Sequence, residues 1–346
     1  MRKFLALMAA LMMCFVSAAA LEKPYPADTV LTVLPLTETQ QTLADMLYDA
    51  VFAHQARIEL PPGTRYDDAS AALQHLMLDY PELFHLGRNY TLGYYRDQPE
   101  YATWVEPQYR LSAAEAGELR ALLYAQSYML VQANPDPEAL HDALCRMTSY
   151  GGTTEMIHTA PGALLQGQAT CEGYAQALTL LYRMAGIPCG VITGDAVDSS
   201  GNAARHAWNI ADIDGYTLID ATWNDQDVLG LNTHWYYGLS TGQMAVDHIP
   251  DAELSVPLCN AHANWHDRHG YIVSGLDNAD KAIRRLVAGE VLNLRIDDHT
   301  LYAALAHDTF SWLGRYNERT PDAPFYGSYS VTVSDAQQCI ILQRAD

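Results

Sequence analysis

Basic residues are scarce: 20 lysines and arginines stand against 41 aspartates and glutamates in 346 residues, for a formal net charge of −21. No stretch of them is dense enough to follow a phosphate backbone, which excludes nucleic acid as a partner. Anionic membranes and polyanionic wall polymers would be repelled by the same surface. Beyond the amino terminus no run is apolar enough to span a bilayer. Cysteine is also sparse, six residues in a chain long enough to bury its own cores, so a disulfide framework is not needed for stability. There is no internal repeat and no low-complexity tract, which excludes solenoid architectures.

What is present begins with an export signal. Arg2 and Lys3 precede an apolar run from Phe4 to Val16, followed by Ser17-Ala18-Ala19-Ala20, the pattern of a signal peptide over residues 1–20 with cleavage after Ala20. The run is short for a retained anchor, and Leu11-Met12-Met13-Cys14 lacks the small residues expected before a lipidated cysteine. The mature chain is therefore expected to be secreted or extracytoplasmic, without a membrane span.

Texture divides the remainder into three segments, 21–134, 135–259 and 260–346. In the first, helices are expected over Thr37–Leu60 and Asp67–Tyr80 and paired aromatic strands over Tyr90–Arg96 and Tyr101–Tyr109. A helix capped by Ser112 with Glu115 then runs to about Val131. Asn134-Pro135-Asp136-Pro137 breaks the chain. The third segment reads as a strand at Tyr271, a helix over Asn278–Ala288, a strand at Val291, a helix over Thr300–Leu313 and a closing strand pair. That order suggests a small α/β appendage.

The middle segment carries the chemistry. Glu172 to Arg183 reads as a helix with Tyr174, Leu178, Leu181 and Ala185 at helical spacing, stopped by Gly186 and Pro188. Gly167-Gln168-Ala169-Thr170 forms a turn ahead of it, which leaves Cys171 at the first helical turn. Unpaired N–H groups and the helix dipole there favour a thiolate. The same N–H groups can hold an oxyanion, with the Cys171 N–H and the Gln168 amide as candidate donors. The competing reading of Cys171 taken alone is a buried thiol or a disulfide partner.

Downstream, Arg205–Ile213 and Tyr216–Trp223 read as two strands joined at Asp214-Gly215. Register decides whether His206 and Asp220 can cooperate. A two-residue loop pairs Ile213 with Tyr216 and sends the two side chains to opposite faces. A three-residue loop, Ile213-Asp214-Gly215, pairs Asp212 with Tyr216, placing Asp220 opposite Trp208 and diagonal to His206 on one face. Diagonal neighbours lie about 7–8 Å apart at the backbone, within reach of an imidazole and a carboxylate. This arrangement requires Gly215 to be left-handed. Otherwise His206 is an ordinary core histidine and Asp220 a strand-end acid.

Cys171-Glu172-Gly173-Tyr174-Ala175, the Gly186-Ile187-Pro188 helix stop, His206-Ala207-Trp208-Asn209 and Asp220-Ala221-Thr222-Trp223 together resemble the transglutaminase-like superfamily of cysteine enzymes. His141-Asp142 and Tyr150 resemble the lead-in helix of its bacterial members. The resemblance covers residues 136–250. It implies an α+β fold with a papain-like core, in which the helix bearing the cysteine packs on an antiparallel sheet bearing His and Asp. It also implies Cys171 as nucleophile, His206 as base and acid, and Asp220 as the carboxylate that orients His206. Gln168-Ala169-Thr170 departs from the short Gly-Val or similar pair seen before the cysteine in bacterial relatives, which bears on the oxyanion donors and not on the triad.

Several side chains have two readings. Trp208 and Trp223 wall an acyl-substrate cleft or fill the core beside the hairpin, and Glu172 and Asn209 read as structural. His262, His266 and His269 would share one face of a helix and so form a metal site. Asn264 and Gly270 weaken that helix, and a solvated loop accounts for the spacing equally well. No metal or cofactor is assigned. Four cysteines, Cys145, Cys189, Cys259 and Cys339, remain beside Cys171 after cleavage. They allow three complete pairings, and reduced, buried thiols are favoured, with one disulfide compatible.

The expected protein is a secreted enzyme forming a thioester at Cys171 with a glutamine or peptide carbonyl and passing the acyl group to an amine or to water. Its partners would be protein or peptide substrates, cell-wall peptides among them. The alternative is a binding module that keeps the papain-like scaffold without catalysis.

Overall fold

The computed structural model describes residues 23–226, 231–260 and 262–345. The expected signal peptide lies outside them. Helix α1 (Glu38–Phe52) starts on a capping box in which the Thr37 hydroxyl accepts from the Gln40 N–H and the Gln40 amide oxygen accepts from the Thr37 N–H. It stops well short of the expected Leu60. His54 adopts φ 58°, its ring stacked 3.8 Å from that of Tyr109, and the chain continues as β1 (Ile58–Glu59). A tertiary ring contact thus overrides local helix preference.

Helix α2 (Tyr66–Asp79) matches its expected span, and β2 (Leu86–Tyr95) pairs antiparallel with β3 (Gln98–Tyr109) in a sheet of order β1-β3-β2. Ser112 and Glu115 form the capping box of α3 (Ala113–Ala133). Asp136 then caps α4 (Pro137–Met147), whose Pro137 sits in the first turn, where no N–H is needed.

Short parallel strands β4 (Ser149–Tyr150) and β5 (Gln168–Ala169) lead into α5 (Cys171–Met184). Strands β6 (Cys189–Val197), β7 (Ala203–Asp212) and β8 (Tyr216–Ile219) follow, then α6 (Ala221–Asn224) and the pair β9 (Asp225–Gln226) and β10 (Leu231–Asn232). After β11 (Tyr237–Leu239), α7 (Thr241–Met244) and β12 (His248–Pro250), the five-stranded sheet is complete in the order β11-β8-β7-β6-β12. The strand expected to reach Trp223 ends at Ile219, because Asp220 turns the chain and caps α6.

The carboxy-terminal elements are α8 (Trp265–Arg268), β13 (Ile272–Val273), α9 (Leu276–Val287), β14 (Leu292–Ile296), α10 (His299–His307), α11 (Thr309–Arg319), β15 (Tyr329–Ser334) and β16 (Cys339–Arg344). The sheet order is β13-β14-β16-β15, parallel only between β13 and β14. The single helix expected over Thr300–Leu313 is two, divided at Asp308, whose φ of −137° leaves the helical region. Aspartate competes for backbone donors and favours such breaks.

The chain forms two compact units. One comprises the residues up to Thr193 with His206–Asp212 and Pro250–Pro257, and its amino-terminal core gathers Leu47, Val51, Leu73, Leu76 and Val105, all fully buried. The other comprises Gly194–Arg205, Ile213–Ile249 and the chain from Leu258, and it contains a core of Ile283, Leu294, Ile296, Tyr316 and Leu342. Among the described residues, no helix is long and apolar enough to cross a membrane.

Candidate active site

In the first unit Cys171 is the first residue of α5 and is half-buried. Thr170 precedes it in extended geometry and makes no side-chain cap. Its hydroxyl is engaged instead with His158 Nδ1 at 2.9 Å and the Ile157 carbonyl at 3.4 Å. The first-turn N–H groups are therefore not consumed by a capping side chain, which suits an anion at the Cys171 sulfur. The next residue, Glu172, is paired with Arg88 and lies 3.6 Å from His158.

The glycine of Cys171-Glu172-Gly173 is required by packing. A Cβ there would stand 2.3 Å from the Ile157 carbonyl oxygen, so the 155–158 segment can lie against the helix start only if residue 173 has no side chain. From Gly173 to Arg183 the helix is buried on every side, which fixes the direction in which its amino end points.

His206, half-buried on β7, stacks on Trp208 with ring centroids 6.1 Å apart and planes 22° from parallel. Trp208 is 1 % exposed, so it packs behind the imidazole in the core and presents no face to solvent. Asn209 ties this strand to the cysteine helix: its amide donates to the Ala175 carbonyl at 3.0 Å, the Thr179 hydroxyl at 2.9 Å and the Gly190 carbonyl at 3.2 Å. Ala207 joins Ala175 and Val191 in a small buried cluster, and Cys171 packs against that cluster. Cys171 therefore packs against the same small cluster as Ala207, the residue next to His206 in sequence.

Gln168 is exposed on β5, directly before the Thr170 turn. A cavity of about 410 Å³ opens between the β2–β3 strands, at Arg88, Asn89, Gln108 and Arg110, and the segment carrying Glu155 and His158.

In the second unit the Ile213-Asp214-Gly215 loop has the expected three residues, with Gly215 left-handed at φ 102°. Asp214 is left-handed as well, at φ 54°. A Cβ on Gly215 would also lie 2.6 Å from Asn260 Nδ2. Gly215→Ala is expected to lower stability by about 1–3 kcal/mol through backbone strain. Thermal unfolding of the variant would measure this, and an unchanged midpoint would mean the loop relaxes freely.

Asp220 is fully buried and restrained at both oxygens. Oδ1 accepts from the N–H groups of Thr222 at 2.9 Å and Trp223 at 3.1 Å, and Oδ2 lies 3.1 Å from His248 Nε2. The His248 Nδ1 is 2.6 Å from Asp247 Oδ1, and Tyr236 donates its hydroxyl to Asp247 Oδ2 at 2.7 Å. Trp223, half-buried, meets the His248 ring edge-on at 4.6 Å. His248 and Asp247 were not anticipated from the sequence. Their separation from Asp220 follows no helical or strand period, and the adjacent Asp247-His248 pair was the only signal.

The histidine trio expected as a metal alternative does not share a helix, since α8 covers only Trp265–Arg268. His266 is buried with Nε2 3.2 Å from Asn293 Oδ1, and burial holds it well below the ordinary histidine range, whereas His262 and His269 are exposed. All five described cysteines are free thiols. Burial pushes Cys189, Cys259 and Cys339 up to about 11, so at neutral pH these three are protonated and poorly nucleophilic.

Residues 133–223, which contain Cys171, His206 and Asp220, match the model of the Transglutaminase-like superfamily. Among solved structures, similarity is found to a presumed cysteine protease from Cytophaga hutchinsonii, at 17 % identity and a TM-score of 0.25, over 39 % of this chain and 61 % of that one. The periplasmic domain of TgpA from Pseudomonas aeruginosa, bound to ethylmercury, matches at 21 % identity and a TM-score of 0.24, over 36 % of this chain and 57 % of that one. This chain therefore spans less than two thirds of either. No curated protein matches.

Proposed function

We propose that this protein is an extracytoplasmic cysteine acyl-transfer enzyme in which Cys171, His206 and Asp220 act as nucleophile, acid–base and orienting carboxylate. The observation that carries this reading is the position of Cys171: a half-buried thiol at the first residue of a long buried helix with no capping side chain, inside the superfamily segment that also supplies His206 and Asp220.

In the reaction, the Cys171 thiolate attacks the carbonyl carbon of a glutamine carboxamide or a peptide bond. The negative charge that develops on oxygen is held by the Cys171 N–H at the helix start, with the Gln168 amide as the second candidate donor. The tetrahedral adduct collapses as the carbon–nitrogen bond breaks, and the leaving amine takes its proton from the His206 imidazolium. A primary amine or water then attacks the thioester and gives a proton back to His206, and the carbon–sulfur bond breaks to restore the thiolate. Trp208 keeps the imidazole ring in plane through these proton transfers. The cavity between Arg88, Gln108 and His158 is the proposed seat for part of the acyl donor. Peptide substrates of the cell envelope fit the export signal read in residues 1–20.

Incubating the full mature chain with glutamine-containing and peptidoglycan-derived peptides, with and without a primary amine, is expected to leave an acyl adduct on Cys171 detectable by intact mass. Products would then partition between amide exchange and hydrolysis. If no peptide of either kind gives an adduct or a product, the enzyme reading fails and the scaffold is a binding module.

A further inference from the structure

His248 has no place in a Cys-His-Asp mechanism, yet it is completely buried against the one carboxylate that mechanism needs. Each of its ring nitrogens faces a carboxylate oxygen at hydrogen-bond distance, Asp247 Oδ1 on one side and Asp220 Oδ2 on the other. Ionised carboxylates only accept, so satisfying both requires both nitrogens to carry protons. The trio is then a cation held between two anions.

We propose that His248 is a positioning residue for the active site, a buried imidazolium that clamps Asp220 and shares its charge between Asp220 and Asp247. The inference rests on the reading of Asp220 as the carboxylate that orients His206. Two consequences follow from the geometry. With Oδ1 fixed by two backbone donors and Oδ2 by His248, Asp220 is a rigid acceptor that cannot swing away. In addition, a carboxylate already paired with a cation attracts a second imidazolium less strongly than a bare one does, so His206 gives up its proton more readily.

The surroundings agree. Burial by itself lowers the proton affinity of His248, but the hydrogen bonds and charges of Asp220 and Asp247 outweigh it and raise His248 above the ordinary histidine value. Within its own unit, the two aspartates and Tyr236 face it, and the Tyr236 hydroxyl is pushed upward by burial and by Asp247 and so stays neutral. Trp223 closes the ring face, and Gln337 Nε2 reaches Asp247 Oδ2 at 3.5 Å.

The test uses the full mature chain and the pH profile of Cys171 alkylation by iodoacetamide, followed by peptide mass. His206→Ala should erase the upper limb, where the imidazolium loses its proton. If that variant leaves the profile unchanged, the triad reading itself fails and this proposal with it. His248→Gln keeps a neutral donor and removes the cation, so Asp220 pulls harder on His206 and the limb should move up by about one pH unit. Asp247→Asn leaves the whole cation to Asp220, so the limb should move down instead, and this variant serves if His248→Gln does not fold. A purely structural His248 would lower the unfolding midpoint and leave the limb in place, and that result, alongside a responsive His206→Ala, overturns the proposal. Nitrogen NMR of the unmodified chain should find both His248 ring nitrogens protonated at pH 7, and a neutral tautomer there would overturn it equally.

Discussion

Cys171→Ser and His206→Ala are each expected to cut turnover of any amide donor that acylates the protein by on the order of 10⁴-fold or more, with little change in the unfolding midpoint. Serine keeps the shape but not the acidity of the thiol, so the helix terminus can no longer hold a pre-formed nucleophile. Alanine at 206 removes the group that gives the leaving amine its proton. Because the two act as a unit, the double variant should be hardly worse than either single one. Steady-state rates beside thermal scans would measure both quantities. Turnover within tenfold of the parent in either single variant would mean the chemistry lies elsewhere. Asp220→Asn is not a clean third test: the same carboxylate caps α6 and binds His248, so its loss would mix catalytic and structural effects.

The parts of this site that were legible in the sequence are those set by local physics. The start of α5 at Cys171 follows from an apolar period ending in Gly186, and the loop before β8 follows from the face on which Asp220 must emerge. Gly215, left-handed as that loop demands, marks it. The capping box at Ser112 is likewise local, a hydroxyl and a carboxyl three residues apart. What stayed hidden depends on partners distant in the chain. His54 ends α1 by stacking on Tyr109, and Asp220 leaves its strand to cap a helix of one turn. His248 meets Asp220 across 28 residues of chain that carry no periodic signal. A residue's role as acceptor or clamp was visible only where both partners lay within one turn or one hairpin.

The last turn of the same helix that bears Cys171 holds the largest expected effect on stability. Arg183 is fully buried, donating through Nε to the Cys189 carbonyl at 2.8 Å and through Nη1 to the Asp79 carbonyl and to the Tyr25 hydroxyl at 3.4 Å. Asp79 and Glu82 are buried beside it without exposure, and Glu82 accepts from the hydroxyls of Tyr25 and Tyr48 at 2.7 and 2.8 Å. Both phenols are raised, by burial first and by the Glu82 charge second, so they remain donors across the physiological range. Arg183→Met preserves much of the stem's packing but removes the cation 4.0 Å from the buried Asp79, which keeps His75 Nδ1 at 2.7 Å, and the positive charge felt by the buried Glu82, a loss expected at about 3–5 kcal/mol. Glu82→Gln keeps acceptor capacity while removing one anion and should cost less. The double variant should recover part of the loss, because the charge stranded by the first change is removed by the second. Urea unfolding of the four proteins closes that cycle. A loss under about 1 kcal/mol for Arg183→Met would show that the carboxylates are relieved by water or by protonation, and that the cation holds the cysteine helix in place without stabilising the fold.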